Sequence, residues 1–105
     1  MSLKDRRDEM ESRYAHDQEK KFKIESRRNR IFGQWAAGKL GKSGADADAY
    51  VQEVVKASFA RAGDEDIVEK VEGDFRAGGV DLSADDIRRE LETSFVEAER
   101  QVNAG

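Results

Sequence analysis

GQWAAGKLGKSG, residues 33–44, admits two readings that lead to different architectures. As a phosphate-binding loop it would join a buried strand to a helix in an α/β sheet. As the end of a helix it would close one element of an all-helical bundle. A phosphate loop needs Gly-x-x-x-x-Gly-Lys followed at once by Ser or Thr, because that hydroxyl holds the magnesium beside the phosphates. Gly33, Gly38 and Lys39 satisfy the spacing, but Leu40 stands where the hydroxyl belongs. The second candidate, Gly41-Lys42-Ser43, has Ala36 in place of its first glycine. Nor is there a strand to precede it, since Glu25-Ser26-Arg27-Arg28-Asn29-Arg30 could not lie inside a parallel sheet.

The helical reading succeeds on the same residues. Ile24, Ile31 and Trp35 form one row and Phe32, Ala36 and Leu40 the next, the spacing of a helix from about Lys20 to Leu40. Gly41 and Gly44 tolerate the left-handed conformation at its end, and Ser43 is placed to cap the next helix. That second helix is expected over about Ala45–Ala62, with the stripe Ala47, Tyr50, Val51, Val54, Val55, Ser58 and Phe59, closed by Gly63. Asp64 is placed to cap a third, carrying Ile67, Val68, Val71 and Phe75 and ending at Gly78-Gly79. Gly73 in its middle costs about 1 kcal/mol relative to alanine. Ser83 is expected to cap a fourth, which buries Ile87, Leu91, Phe95, Ala98 and Val102. No segment alternates as a half-buried strand would, so the fold class is all-α, a four-helix bundle with short connections.

Composition agrees. At 105 residues there is room for one core, and 40% of the chain is charged, against about a quarter in ordinary domains. The chain has no proline to break a long helix and no cysteine for a disulfide, a thiolate ligand or a nucleophile. With one histidine and no convergent acid pair, no catalytic constellation is visible, and an enzyme is not expected. Asp46, Asp48 and Asp64-Glu65-Asp66 lack calcium-loop spacing and suit the first turns of helices, so no metal site is expected. No apolar run marks a signal or a membrane span.

Charge is unevenly spread. Residues 1–30 hold ten Lys and Arg against seven Asp and Glu, whereas residues 31–105 hold nine against sixteen. A basic front on an acidic body suggests an arm that meets a partner. Within residues 1–19, Leu3, Met10 and Tyr14 recur at seven and four residues as a thin apolar seam. A helix with so little to bury is marginal alone in water. We therefore expect a flexible or marginally helical arm at 1–19 attached to a bundle at 20–105, the arm ordering when a groove covers its seam.

The residues also carry a family pattern. Phe22-Lys23, Arg27-Arg28-Asn29-Arg30, Gly33, Trp35-Ala36-Ala37 and Lys39-Leu40-Gly41 resemble the zeta subunit of the alphaproteobacterial F-type ATP synthase. The likeness continues through Ala15-His16-Asp17, Tyr50, Glu53-Val54-Val55, Ala62-Gly63-Asp64-Glu65-Asp66, Asp74-Phe75, Ala77-Gly78 and Ile87-Arg88-Arg89. The resemblance implies a four-helix bundle with a mobile arm, and a role as inhibitor of ATP hydrolysis by the catalytic head. It implies an arm that becomes helical between an alpha and a beta subunit beside the gamma rotor, with Leu3, Arg6, Arg7, Met10, Arg13 and Tyr14 as contacts. Members typically carry phenylalanine where this chain has Met10 and Tyr14, a departure that bears on inhibitory strength. The resemblance also implies ADP or ATP as a ligand of the bundle, with no cofactor required, and we assign Arg27, Arg28 and Arg30 to its phosphates. A cytoplasmic location, peripheral to the inner membrane through the synthase and without membrane insertion of its own, is implied by the same likeness.

The rival reading is a small helical adaptor whose basic front binds nucleic acid or another protein. Lys20-Lys21, Lys23 and Arg27-Arg28-Asn29-Arg30 could supply the phosphate term. Glu19 and Glu25 interrupt that run, the body is acidic and no DNA-binding motif is present, so a nucleic-acid partner is not expected. His16 could titrate near neutrality, but on an exposed arm it reads as an ordinary polar residue.

Overall fold

The structure is a computed structural model that describes residues 3–59 and 64–104. Four helices succeed one another, α1 (Leu3–Lys39), α2 (Gly44–Ser58), α3 (Glu65–Ala77) and α4 (Ala84–Ala104). Helix α1 packs against both α2 and α4, and α3 closes the ring by packing on those two. The all-α four-helix bundle is as the periodicity indicates.

The ambiguous glycines close α1. The Gly41 N–H donates to the Gly38 carbonyl at 3.1 Å and the Lys42 N–H to the Ala37 carbonyl at 2.9 Å. This pair of bonds is the Schellman arrangement, which needs a left-handed residue, and Gly41 supplies it at φ +75°. Gly44 also takes a positive φ, +56°. Helix α3 ends the same way, with Gly79 N–H to Arg76 and Val80 N–H to Phe75 at 3.4 and 2.8 Å. The apparent phosphate loop is thus a helix stop.

The core sits where α1 crosses the other three helices. Phe32, Ala36 and Ala37 of α1 meet Tyr50 and Val54 of α2, Ile67, Val68, Val71 and Phe75 of α3, and Ile87 and Leu91 of α4. Trp35 ties the aromatic part together, stacked on Phe32 at 5.7 Å and edge-on to Phe75 at 5.6 Å. Tyr50 is buried with its hydroxyl satisfied, donating to Asp74 Oδ2 at 2.9 Å, and Lys70 donates to the same oxygen at 3.1 Å. Burial and the neighbouring carboxylate push the Tyr50 pKa well up, so the phenol stays a donor.

Two of the expected core residues are instead on the surface. Phe59 is 71% exposed because α2 stops at Ser58, one residue before it. Phe95 is 38% exposed and Ser94 is buried in its stead. On a helix Ser94 lies about 20° from Ile87, whereas Phe95 lies about 80° round toward solvent, so geometry overrides hydrophobicity here. The caps also differ from expectation in part. Ser43 and Asp64 occupy their N-cap positions without a side-chain cap bond. Ser83 caps as expected, its Oγ accepting from the Asp86 N–H at 3.2 Å while Asp86 Oδ2 accepts from the Ser83 N–H at 3.1 Å. Ala62 and Gly63 lie outside the described residues.

Gly33 and Gly73 predict different effects for the same substitution. A Cβ at Gly33 would stand 3.2 Å from Val51 Cα, a backbone atom of the facing helix that can yield only if α1 and α2 separate. A Cβ at Gly73 would meet nothing within 4 Å. Gly73→Ala is therefore expected to stabilise the fold by about 1 kcal/mol. Gly33→Ala is expected to gain less than that or to destabilise, and thermal unfolding of the two variants checks the order.

Candidate functional site

Helix α1 is the element around which a site can be built. Its 37 residues make it about 55 Å long, against about 31 Å for the 21 residues of α4, so it outruns the bundle. The chain accordingly measures 64 × 25 × 20 Å. Leu3, Arg6, Arg7, Met10, Arg13 and Tyr14 all fall on the N-terminal part of α1, which is one unbroken helix through positions 19 and 20. Their side chains, and that of His16, lie outside the described residues. The last turns of α4 reach as far along α1 as residues 19–23, where Val102 and Asn103 face Glu19, Lys20 and Lys23.

The three arginines assigned to phosphates do not converge. Arg27 and Arg30 line one groove of about 520 Å³ between α1 and the end of α4, together with Phe22, Lys23, Ser26, Gln101 and Val102. Arg28 turns to the other side, into a groove of about 430 Å³ with the start of α3 and residues 88–95 of α4. There its guanidinium donates to Asn29 Oδ1 at 3.0 and 3.2 Å and pairs with Asp64 Oδ1 at 3.1 Å. Its side chain is 12% exposed, so this ion pair is partly shielded and braces α1 against α3. Asp64 does not cap α3 with its side chain because its backbone is already helical, at φ −84° and ψ −14°, where a capping residue is extended. Nearby, Arg88 makes a two-pronged pair with Glu65, 3.0 Å on each prong, and joins α4 to α3.

Arg27 is held through a relay that the sequence did not reveal. Its Nη1 donates to Gln101 Oε1 at 3.1 Å, the Gln101 amide donates to Glu97 Oε1 at 3.0 Å, and Arg100 Nε donates to Glu97 Oε2 at 2.9 Å. Arg100 and Gln101 together hold the Glu97 carboxyl down at about 2. Because the folded value lies below the ordinary one of 4.5, the relay contributes above the ordinary value and is lost as pH falls through about 2. The expected result is that Glu97→Gln flattens the loss of stability between about pH 4.5 and 2 seen in acid titration by circular dichroism. The i, i+3 and i, i+4 spacings were visible in the sequence, but which helix Gln101 would face was not.

Comparison with other proteins gives this geometry its context. The family model described as ATPase inhibitor subunit zeta matches residues 1–101. The chain belongs to the zeta-subunit family of ATPase inhibitors. A solution NMR structure with 42% sequence identity superposes with a TM-score of 0.69, covering 79% of this chain and 94% of its own. No curated protein sequence matches the chain. Membership of the zeta family gives the chain an inhibitory, regulatory role at the F-type ATPase and points away from catalysis. Among the described residues no helix is long and apolar enough to cross a membrane.

Proposed function

We propose that this zeta-family chain inhibits ATP hydrolysis by inserting its N-terminal arm, residues 1–19, into the catalytic head of the F-type ATP synthase. The arm enters between an alpha and a beta subunit beside gamma and blocks the opening and closing that hydrolysis requires. The observation that carries this reading is the overhang of α1, a helix longer than the bundle it belongs to. Leu3, Met10 and Tyr14 give that overhang a seam, and Arg6, Arg7 and Arg13 give it charge with which to meet carboxylates at the cleft. On this reading the protein works in the cytoplasm, held at the inner membrane only through the synthase.

The chain has no cysteine, so a single cysteine placed at position 10 carries a photocrosslinker without competition. Crosslinks to alpha or beta under hydrolysing conditions support insertion. Crosslinking from a cysteine at position 96 on α4, with none from position 10, contradicts it.

ADP or ATP is the bundle's proposed ligand, and the geometry favours Arg27 and Arg30 over Arg28 for its phosphates. Those two share an open groove with the exposed Phe22, whereas Arg28 is already paired with Asp64. Isothermal titration with ADP checks this. Arg30→Ala is expected to weaken binding and Arg28→Ala to leave it little changed, and the reverse order contradicts the assignment.

A further inference from the structure

The basic front of the chain resolves into a row. Lys20, Lys23, Arg27 and Arg30 recur at three, four and three residues, which places them within an arc of about 80° on α1 and over a length of about 15 Å. Lys20 and Lys23 line the groove against Asn103, and Lys23, Arg27 and Arg30 line the adjoining groove against Gln101. Phe22, 61% exposed, and the half-buried Val102 add apolar surface beside the charges. Glu25, which interrupts the run in sequence, projects about 200° round the helix from Lys23 and so lies off the row.

The row is also short of counter-charge. Among the described residues only Lys23 has a carboxylate partner, Glu19 at 3.7 Å with both side chains 64% exposed, a contact worth little in water. Arg27 is held by the neutral Gln101. Elsewhere the arginines face acids, as in Arg28 with Asp64, Arg76 with Glu72, Arg88 with Glu65 and Arg100 with Glu97. A chain of net charge −4 thus concentrates uncompensated positive charge along one edge of one helix.

We propose that this row is a docking strip for an acidic helical segment of a partner protein, one that presents carboxylates at the same three, four, three spacing. The shape favours that occupant. The nucleotide proposed above for Arg27 and Arg30 would cover only part of a row about 15 Å long and leave Lys20 and Lys23 unmatched, so the acidic helix is a longer occupant that competes with it at the two arginines. A nucleic-acid duplex is wide enough to bring the acidic body, seven negative charges in excess over residues 31–105, against its phosphates. A helix is narrow, lies along the strip, and sets side chains three and four residues apart on one face.

The test uses the full chain, isotopically labelled, and a synthetic helical peptide with four glutamates at that spacing. A second peptide of the same composition spreads its glutamates around the helix, and a short DNA duplex is the third probe. The first peptide is expected to shift the amides of residues 20–30 and 101–103, with affinity that falls as salt rises. Arg27→Glu with Arg30→Glu is expected to weaken that binding at least about tenfold at low salt, while Lys39→Glu with Lys56→Glu, an equal change of net charge off the row, changes it by less than about twofold. Equal binding of the two peptides, equal effects of the two double variants, or tighter binding of the duplex than of the patterned peptide overturns the proposal.

Discussion

Replacing Phe75 by alanine is expected to cost about 3 to 5 kcal/mol of stability. Phe75 has no solvent exposure, sits on α3 in the shared core, and gives its ring to Trp35 at 5.6 Å. Truncation would remove both the buried area and the edge-on aromatic contact, and would leave a cavity that the surrounding helices can only partly close. Helix α3 is the element least able to absorb this, with 13 residues and a glycine at position 73. A domain of this size has about 5 to 15 kcal/mol in all, so the variant would sit near the edge of folding. Its midpoint of thermal unfolding is expected to fall by roughly 15 to 30 °C. A drop of a few degrees would mean that Phe75 is not the keystone the packing makes it. Combining the substitution with Gly73→Ala should recover about 1 kcal/mol.

Phe75 was also among the most legible residues in the sequence. Its stripe with Ile67, Val68 and Val71 has helical spacing and is buried throughout. What periodicity conveyed well was which face of each helix is apolar, together with the glycines that end α1 and α3. Where it misled, the cause was local. Phe95 has the residue type of a core position but Ser94 has the angle, and nothing in the sequence at Ser58 marks the end of α2 short of Phe59. Pairings between helices were not legible at all. Arg28 with Asp64, Arg88 with Glu65, and Arg27 with Gln101 lie 36, 23 and 74 positions apart and depend on how the helices are arranged. The same blindness grouped Arg27, Arg28 and Arg30 as one cluster, although consecutive residues on a helix point about 100° apart.

Simultaneous replacement of Leu3, Met10 and Tyr14 by alanine is expected to raise the half-inhibitory concentration about a thousandfold or more. Each side chain contributes roughly 1.5 to 3 kcal/mol when fully buried, while ordering a segment on binding takes back about 2 to 5 kcal/mol. The surplus from the seam is modest, so losing the apolar part of all three leaves little to offset the ordering cost. Three factors of ten correspond to about 4 kcal/mol, a little below the roughly 4.5 to 9 kcal/mol that three such side chains span together. Arginines 6, 7 and 13 would remain and would keep a weak, salt-sensitive association. Single replacements should each cost less than the triple, and restoring phenylalanine at positions 10 and 14 should strengthen inhibition beyond that of the natural chain. An unchanged half-inhibitory concentration in the triple variant would mean that the seam is not what the head grips.

The most direct measurement is ATP hydrolysis by the purified catalytic head of an alphaproteobacterial synthase, titrated with the full chain and with a form lacking residues 1–19. If the arm is the inhibitory element, the full chain inhibits and the shortened form does not at the same concentrations, with circular dichroism showing that the bundle still folds. Equal inhibition by both forms would contradict insertion of the arm, by locating the inhibitory contact on the bundle.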